Sequence, residues 1–133
     1  AGCVTAPDRQ TSPELSVLQV NEAFYKAIQD RDFIAMKGLW ASSGPVAVVH
    51  PGWPQVLGRD AVLRSWKALL ADKSAVFLDC KQATVSLQGQ KAAVVCNEVI
   101  AHRVVKSINV YQRRGGFWEI IFHGVRSLPS DEV

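Results

Sequence analysis

The hydrophobic period of this chain changes once, near Lys73, and that change limits what the chain can fold into. Before Lys73 the apolar residues recur at the three-and-four spacing of helices. After it, residues 75–87, 92–101, 104–113 and 117–125 are rich in β-branched and aromatic side chains. Helices first and a long meander afterwards argue for an α+β domain, with the helices on one face of a curved antiparallel sheet. A chain of 133 residues can bury a core of this kind without metal or disulfide staples.

Local signals set the expected boundaries. Thr11 to Glu14 reads as a capping box with Pro13 in the first turn. Val17, Val20, Phe24, Ala27 and Ile28 then form the buried stripe of a helix running to Gln29. Asp32 caps a second, short helix from Phe33 to Lys37, and Gly38 ends it. Residues 46–50 make a short strand that Pro51 stops, and Gly52-Trp53-Pro54 is a loop. A third helix runs from near Gly58 to Ala71, with Val62, Trp66, Leu69 and Leu70 on one face. Gln88-Gly89 and Gly115-Gly116 are hairpin turns, whereas the connection near His102-Arg103 has no turn residue. Residues 1–12 read as a flexible arm, 13–128 as the domain and 129–133 as a tail. In residues 108–111 and 118–122 the apolar side chains fall on both faces, Ile120 and Phe122 on one and Ile121 on the other. Helices can cover only one face, so the outer face is expected to meet a second copy of the chain, giving a homodimer.

The net charge of +3 is spread along the chain, and Arg113-Arg114 is its one adjacent basic pair. The basic stripe of a nucleic-acid binder is missing, so no nucleic-acid partner is expected. No apolar run approaches the ~20 residues of a membrane span, and a cytoplasmic location is expected. The chain starts at Ala1 rather than Met, which leads us to expect that an upstream segment has been removed. Cys3, Cys80 and Cys96 lack metal-ligand spacing, and there is no H-x-H, H-E-x-x-H or C-x-x-C pattern. Neither a metal nor a cofactor is expected. Cys80 and Cys96 flank Gly89 at similar distances and should lie near each other on paired strands. Two buried thiols are expected, since a disulfide would need an oxidising compartment.

The residues also carry a family resemblance. Asn21-Glu22-Ala23-Phe24-Tyr25, then Asp32, Met36 and Leu39-Trp40, resemble the start of a SnoaL-like domain of the nuclear transport factor 2-like superfamily. His50-Pro51-Gly52-Trp53-Pro54, followed by Gly58-Arg59-Asp60-Ala61-Val62 and Ser65-Trp66, resembles the signature of one SnoaL-like branch. Glu98, Asn109-Val110-Tyr111, Trp118 and His123 are similar to its strand landmarks. The resemblance spans about residues 15–127. It implies a cystatin-like cone, a curved antiparallel sheet wrapped around three N-terminal helices and leaving a cavity. Members of the superfamily include ketosteroid isomerase, polyketide cyclases, epoxide hydrolases and non-catalytic dimerisation or transport modules, and fold alone does not choose among them. The chain departs from the branch in two places. The run of histidines after the final Trp reads Phe122-His123-Gly124, and the connection before Val104 is short.

Isomerases of this fold use a carboxylate base and an oxyanion partner in an apolar pocket. Glu98, mid-strand among Val94, Val95, Val99 and Ile100, is the candidate base; the alternative is a solvated residue of the outer face or an interface. His50 at a strand end beside Trp53 is either a general acid or base, or a structural ring that fixes the Pro-Gly-Trp loop. His123 and His102 are weaker candidates, and His102 is expected in a turn. The Asp-Arg-Asp set of the epoxide hydrolases has no counterpart. Asn109 either binds a ligand polar group or bonds to Tyr25 or backbone. In the resembling fold the first helix, the end of the early strand and the inner sheet face converge. A pocket of Tyr25, Trp40, His50, Trp53, Trp66, Asn109, Tyr111 and Trp118 is therefore expected to hold a small hydrophobic ligand. The leading expectation is a homodimeric small-molecule-binding domain. An isomerase, cyclase or hydratase using Glu98 or His50 is the first alternative, and a non-catalytic dimerisation or protein-association module the second.

Overall fold

The computed structural model describes residues 12–75, 79–100 and 103–127. Residues 1–11 of the expected arm, Cys3 among them, His102 with its expected turn, and the tail at 129–133 lie outside the described residues.

Helix α1, Pro13–Gln29, starts one residue later than the capping-box reading. Ser12 is the cap, its hydroxyl accepting from the Leu15 amide at 3.1 Å, and Pro13 occupies the first turn, where a missing N–H costs nothing. Helix α2, Phe33–Leu39, is capped by Asp32 and runs through Gly38 rather than ending there. Strand β1, Ala47–Val49, is followed by the two-residue strand β2, Val56–Leu57, which the sequence reading leaves inside the loop. Helix α3, Arg59–Ala71, matches its expected span. Strands β3, Lys81–Gln88, β4, Lys91–Ile100, β5, Arg103–Arg114, and β6, Phe117–Ser127, form the meander. Among the described residues no helix is long and apolar enough to cross a membrane.

The six strands make one sheet in the order β2-β1-β6-β5-β4-β3. The meander is antiparallel, but β1 lies parallel to β6, with Ala47 opposite Phe122. The curved sheet is therefore mixed rather than purely antiparallel. The chain leaves β1 through β2 and α3 and reaches β6 only after three further strands, so β1 and β6 come to run the same way.

The helices cover one face. Val17, Phe24 and Ile28 of α1, Met36 of α2, and Val62, Trp66 and Leu70 of α3 pack onto Val94, Tyr111 and Ile120 of the sheet. The end of α1 is tied down by Arg31. Its backbone sits at φ 54°, and its guanidinium donates to the carbonyls of Leu70, Asp72, Lys73 and Ala75 at 2.6–3.3 Å. Those carbonyls at and after the end of α3 have no intrahelical donor, so the guanidinium satisfies them and joins α1 to α3.

One irregularity in β6 decides which residues face inward. Val110 pairs with Phe122 but Tyr111 pairs with Ile120, leaving Ile121 as an extra residue. Simple alternation puts Ile120 and Phe122 on one face. The bulge instead separates them: Ile120 is buried against the helices, and Phe122 joins Ile108, Val95 and Val49 on the outer face. The ring of Phe122 lies over Gly124, where an added Cβ would sit 2.7 Å from the ring.

Candidate functional site

Period-2 geometry places alternate residues of β4 and β5 on the inner face. Cys96 and Glu98 on β4 and Ser107, Asn109 and Tyr111 on β5 all point toward α1 and are all buried. The register sets Cys96 beside Ser107, Glu98 beside Val105 and Asn109 beside His123. From the helix side, Asn21 and Tyr25 lie one turn apart on α1 and meet these residues.

The result is a buried polar cluster. Tyr25 donates its hydroxyl to Glu98 Oε2 at 2.5 Å. Asn109 Nδ2 donates to the Tyr25 oxygen at 3.2 Å and to Asn21 Oδ1 at 2.9 Å. Tyr111 donates to the same Asn21 oxygen at 2.7 Å. Asn109 Oδ1 lies 2.5 Å from His123 Nδ1. Since Asn109 Oδ1 can only accept, Nδ1 of His123 carries the proton. The donors thus run in one direction, from His123 through Asn109 and Tyr25 to Glu98, so each bond polarises the next toward the carboxylate.

Burial sets the charge states. The carboxyl of Glu98 is pushed above its usual value by burial, opposed by hydrogen bonds from Tyr25 and Ser107. The Tyr25 hydroxyl is raised by burial and by the Glu98 charge, and that of Tyr111 is raised mainly by burial. His123 is lowered to about 3, chiefly by burial and further by His50. The cluster therefore holds one acid group among neutral donors, the composition of a site that can hold or take up a proton in an apolar interior.

A second group surrounds His50 at the end of β1. Its Nε2 lies 2.9 Å from Ser65 Oγ, whose own hydroxyl donates to the Val62 carbonyl at 2.7 Å. The Ser65 proton is committed there, so Nε2 of His50 carries a proton and donates. Burial lowers the ring to about 4. Trp53 and Trp66 meet the ring edge-on at 4.9 and 4.7 Å, and the Trp53 amide donates to the His50 carbonyl at 2.9 Å. The ring thus bonds to a helix side chain, while the His50 backbone holds the loop. Phe24 and Trp66 link this group to His123, at 5.0 and 5.7 Å.

Of the residues expected to share a pocket, Tyr25, Asn109 and Tyr111 meet around Asn21, with Tyr25 alone reaching Glu98, and His50, Trp53 and Trp66 meet around β1. Trp40, whose indole donates to the Met36 sulfur, pairs with Ile120 near the start of β6. Trp118 pairs with Arg113 at that same end, whereas Glu98 pairs with Val105 at the other end of β5. Asn21 and Ser65 were not among the expected site residues. The available signal was a polar residue on each helix's buried stripe.

A cleft of about 630 Å³ opens between α1 and the chain entering β3, lined among others by Leu18, Asn21, Tyr25, Cys80 and Ala83. Asn21 and Tyr25 belong both to this cleft and to the buried cluster. Cys80 is joined to Cys96 by a disulfide, with Cα atoms 5.3 Å apart, where two thiols were expected. The proximity followed from the turn at Gly89, but the bond did not.

The family profile described as "SnoaL-like domain" matches residues 17–130. The chain belongs to the SnoaL-like domain family. A presumed dehydratase of the nuclear transport factor 2-like family from Streptomyces avermitilis is 29% identical, with a TM-score of 0.80 over 94% of this chain and 100% of that one. The presumed association domain of a calcium/calmodulin-dependent protein kinase type II from Thiobacillus denitrificans is 23% identical, with a TM-score of 0.71 over 83% and 93%. A protein with a cystatin-like fold from Caulobacter vibrioides is 13% identical, with a TM-score of 0.73 over 87% and 89%. The last two establish the fold alone. No curated protein sequence matches the chain. In this SnoaL-like domain the segment Phe122-His123-Gly124 presents only its middle residue to the inner face, so the histidine it keeps is the inward one.

Proposed function

We propose that this SnoaL-like domain binds a small hydrophobic carbonyl compound whose polar end reaches the Tyr25–Glu98 pair. The observation that carries this reading is the double membership of Tyr25. Tyr25 is among the residues lining the cleft beside α1, and its hydroxyl donates to the buried Glu98 carboxylate. A ligand entering along α1 meets apolar side chains at Leu18 and Ala83, polar groups at Asn21 and Tyr25, and charged or amide side chains at Glu22, Lys26, Gln29 and Asp79.

Proton transfer by Glu98 is the second reading. The raised proton affinity of Glu98 suits a group that takes a proton from carbon and returns it. The 29% identical Streptomyces protein is described as a presumed dehydratase, and dehydration shares the first of these two steps, removal of a proton from carbon. One experiment separates the two readings. A panel of hydrophobic ketones is added in deuterated water, and NMR follows both ligand binding and exchange at the carbon beside the carbonyl. Binding without exchange supports a carrier; exchange that Glu98→Gln removes while binding persists supports catalysis. Tyr25→Phe is expected to weaken binding about ten-fold, the loss of roughly one hydrogen bond. If no ketone binds the wild type, the cleft reading fails and a non-catalytic association module is favoured.

We further propose that the domain is a homodimer, associating through its outer sheet face. An apolar groove of about 350 Å³ there is lined by Val49, Val95, Phe122 and the exposed Ile108, and Val104 is also exposed. Such a patch is costly to leave in water. Light scattering at micromolar concentration should give twice the 14.6 kDa chain mass, and Ile108→Glu should return the chain mass. A wild-type monomer overturns this assignment.

A further inference from the structure

We propose that the Cys80–Cys96 cystine is a reducible modification site, whose exchange partner is a dithiol and whose state sets the wall of the cleft. Cys96 is 1% exposed, in the middle of β4, whereas Cys80 is half-buried and lines the cleft. An attacking thiolate therefore reaches the Cys80 sulfur. The bond to Cys96 breaks as the bond to the incoming sulfur forms, and Cys96 leaves as a thiolate. The hydroxyl of Ser107 lies 3.0 Å from its sulfur, close enough for a hydrogen bond to the leaving thiolate. The second thiol of the reductant then displaces Cys80. Two electrons and two protons pass to the protein, and the reductant becomes a disulfide.

What the bond holds is the second part of the argument. Strand β3 is an edge of the sheet, and its first residues are irregular. Lys81 pairs with Asn97 but Thr84 with Val95, and Gln82 inside this bulge sits at φ 55°. A left-handed non-glycine residue persists only where its surroundings force it. Here those surroundings include the cystine and one hydrogen bond from Asn97 to the Gln82 side chain at 2.6 Å. Asp79, Cys80 and Ala83 of this segment form the cleft wall opposite α1. Cutting the cystine removes the covalent tether from that wall. It also leaves the Asn21 amide, which donates to the Cys80 sulfur at 3.4 Å, bonded to a sulfur that is no longer tethered, and a new thiol beside the Tyr25 hydroxyl.

The test needs no ligand. Protein purified without reductant is treated under native conditions with dithiothreitol, its thiols are counted by alkylation and mass spectrometry, and amide hydrogen exchange is followed across residues 79–84. The expected result is that both Cys80 and Cys96 become alkylated. Exchange in that segment should rise about ten-fold, with α1, β5 and β6 unchanged. Cys80→Ser should show the fast exchange without reductant, and the double variant Cys80→Ala/Cys96→Ala serves if the single one does not fold. A cystine that yields only after urea unfolding would overturn the proposal. So would reduction without faster exchange, or a native protein whose two thiols no mild oxidant can join. A further arm rests on the cleft reading above: ketone binding should differ between the oxidised and reduced forms. If neither form binds a ketone, that reading fails while the exchange result still decides this one.

Discussion

Lowering the pH from 7 to 4 should cost the folded domain several kcal/mol, and His50 and His123 are the cause. In the folded state these rings resist protonation down to about 4 and about 3. In the unfolded chain both take a proton near pH 6.5, so between these values the unfolded state binds more protons. Stability therefore rises with pH in that window. It is fully present above about 6.5 and drains as the pH falls, by about 3 kcal/mol for each ring at pH 4. Glu98 acts in the opposite direction. Its folded carboxyl takes up a proton at higher pH than the unfolded one does, so acid favours the native state across its own, smaller window. Urea unfolding at pH 7, 5.5 and 4 measures the sum. A midpoint that stays constant down to pH 4 would contradict buried, neutral rings, and replacing both histidines with Gln should flatten the acid limb.

Asn109→Leu should destabilise the domain by about 3 kcal/mol although it leaves the apolar core intact. Asn109 is 0% exposed and uses both ends of its amide, donating to Asn21 and Tyr25 and accepting from His123. Leucine is close to it in size but supplies no partner. The His123 N–H is left buried without an acceptor, and Tyr25 loses the donor that orients it toward Glu98. Each orphaned group costs roughly 1–3 kcal/mol, while the added apolar contact recovers part. The urea midpoint is expected to fall by about 2 M. An unchanged midpoint would mean that the cluster is not held together through Asn109.

The helices were legible because their ends and stripes are local. Asp32 and Pro13 mark starts through bonds that span only a few residues. The hairpin turns at Gly89 and Gly115-Gly116 were legible for the same reason, since a positive φ there calls for glycine. Strand β2 escaped because two residues carry no period. The parallel seating of β1 against β6 escaped because nothing local distinguishes a parallel from an antiparallel neighbour in a strand of three residues. The polar cluster was only half legible. Glu98 and Asn109 stand out as polar residues on apolar strands, yet their helix partners are distant in sequence, Asn21 lying 88 residues from Asn109. Asn21 shares a face with Val17, Phe24 and Ile28, and a polar residue on such a stripe deserves a search for its partner. Ser65, on the stripe of Val62 and Trp66, is the same case.

The surplus residue at Ile121 has a consequence for comparing this chain with its relatives. It shifts the phase of everything downstream by one position, so counting along the strand from Trp118 reverses inside and outside after Ile120. A relative without the surplus residue, aligned to this chain with no gap, would have an outward side chain set against His123 and an inward one against Phe122 or Gly124. Agreement or disagreement in that column would then describe opposite sides of the sheet. Homology arguments about the last strand need their gap placed at Ile121 before any histidine is said to be kept or lost.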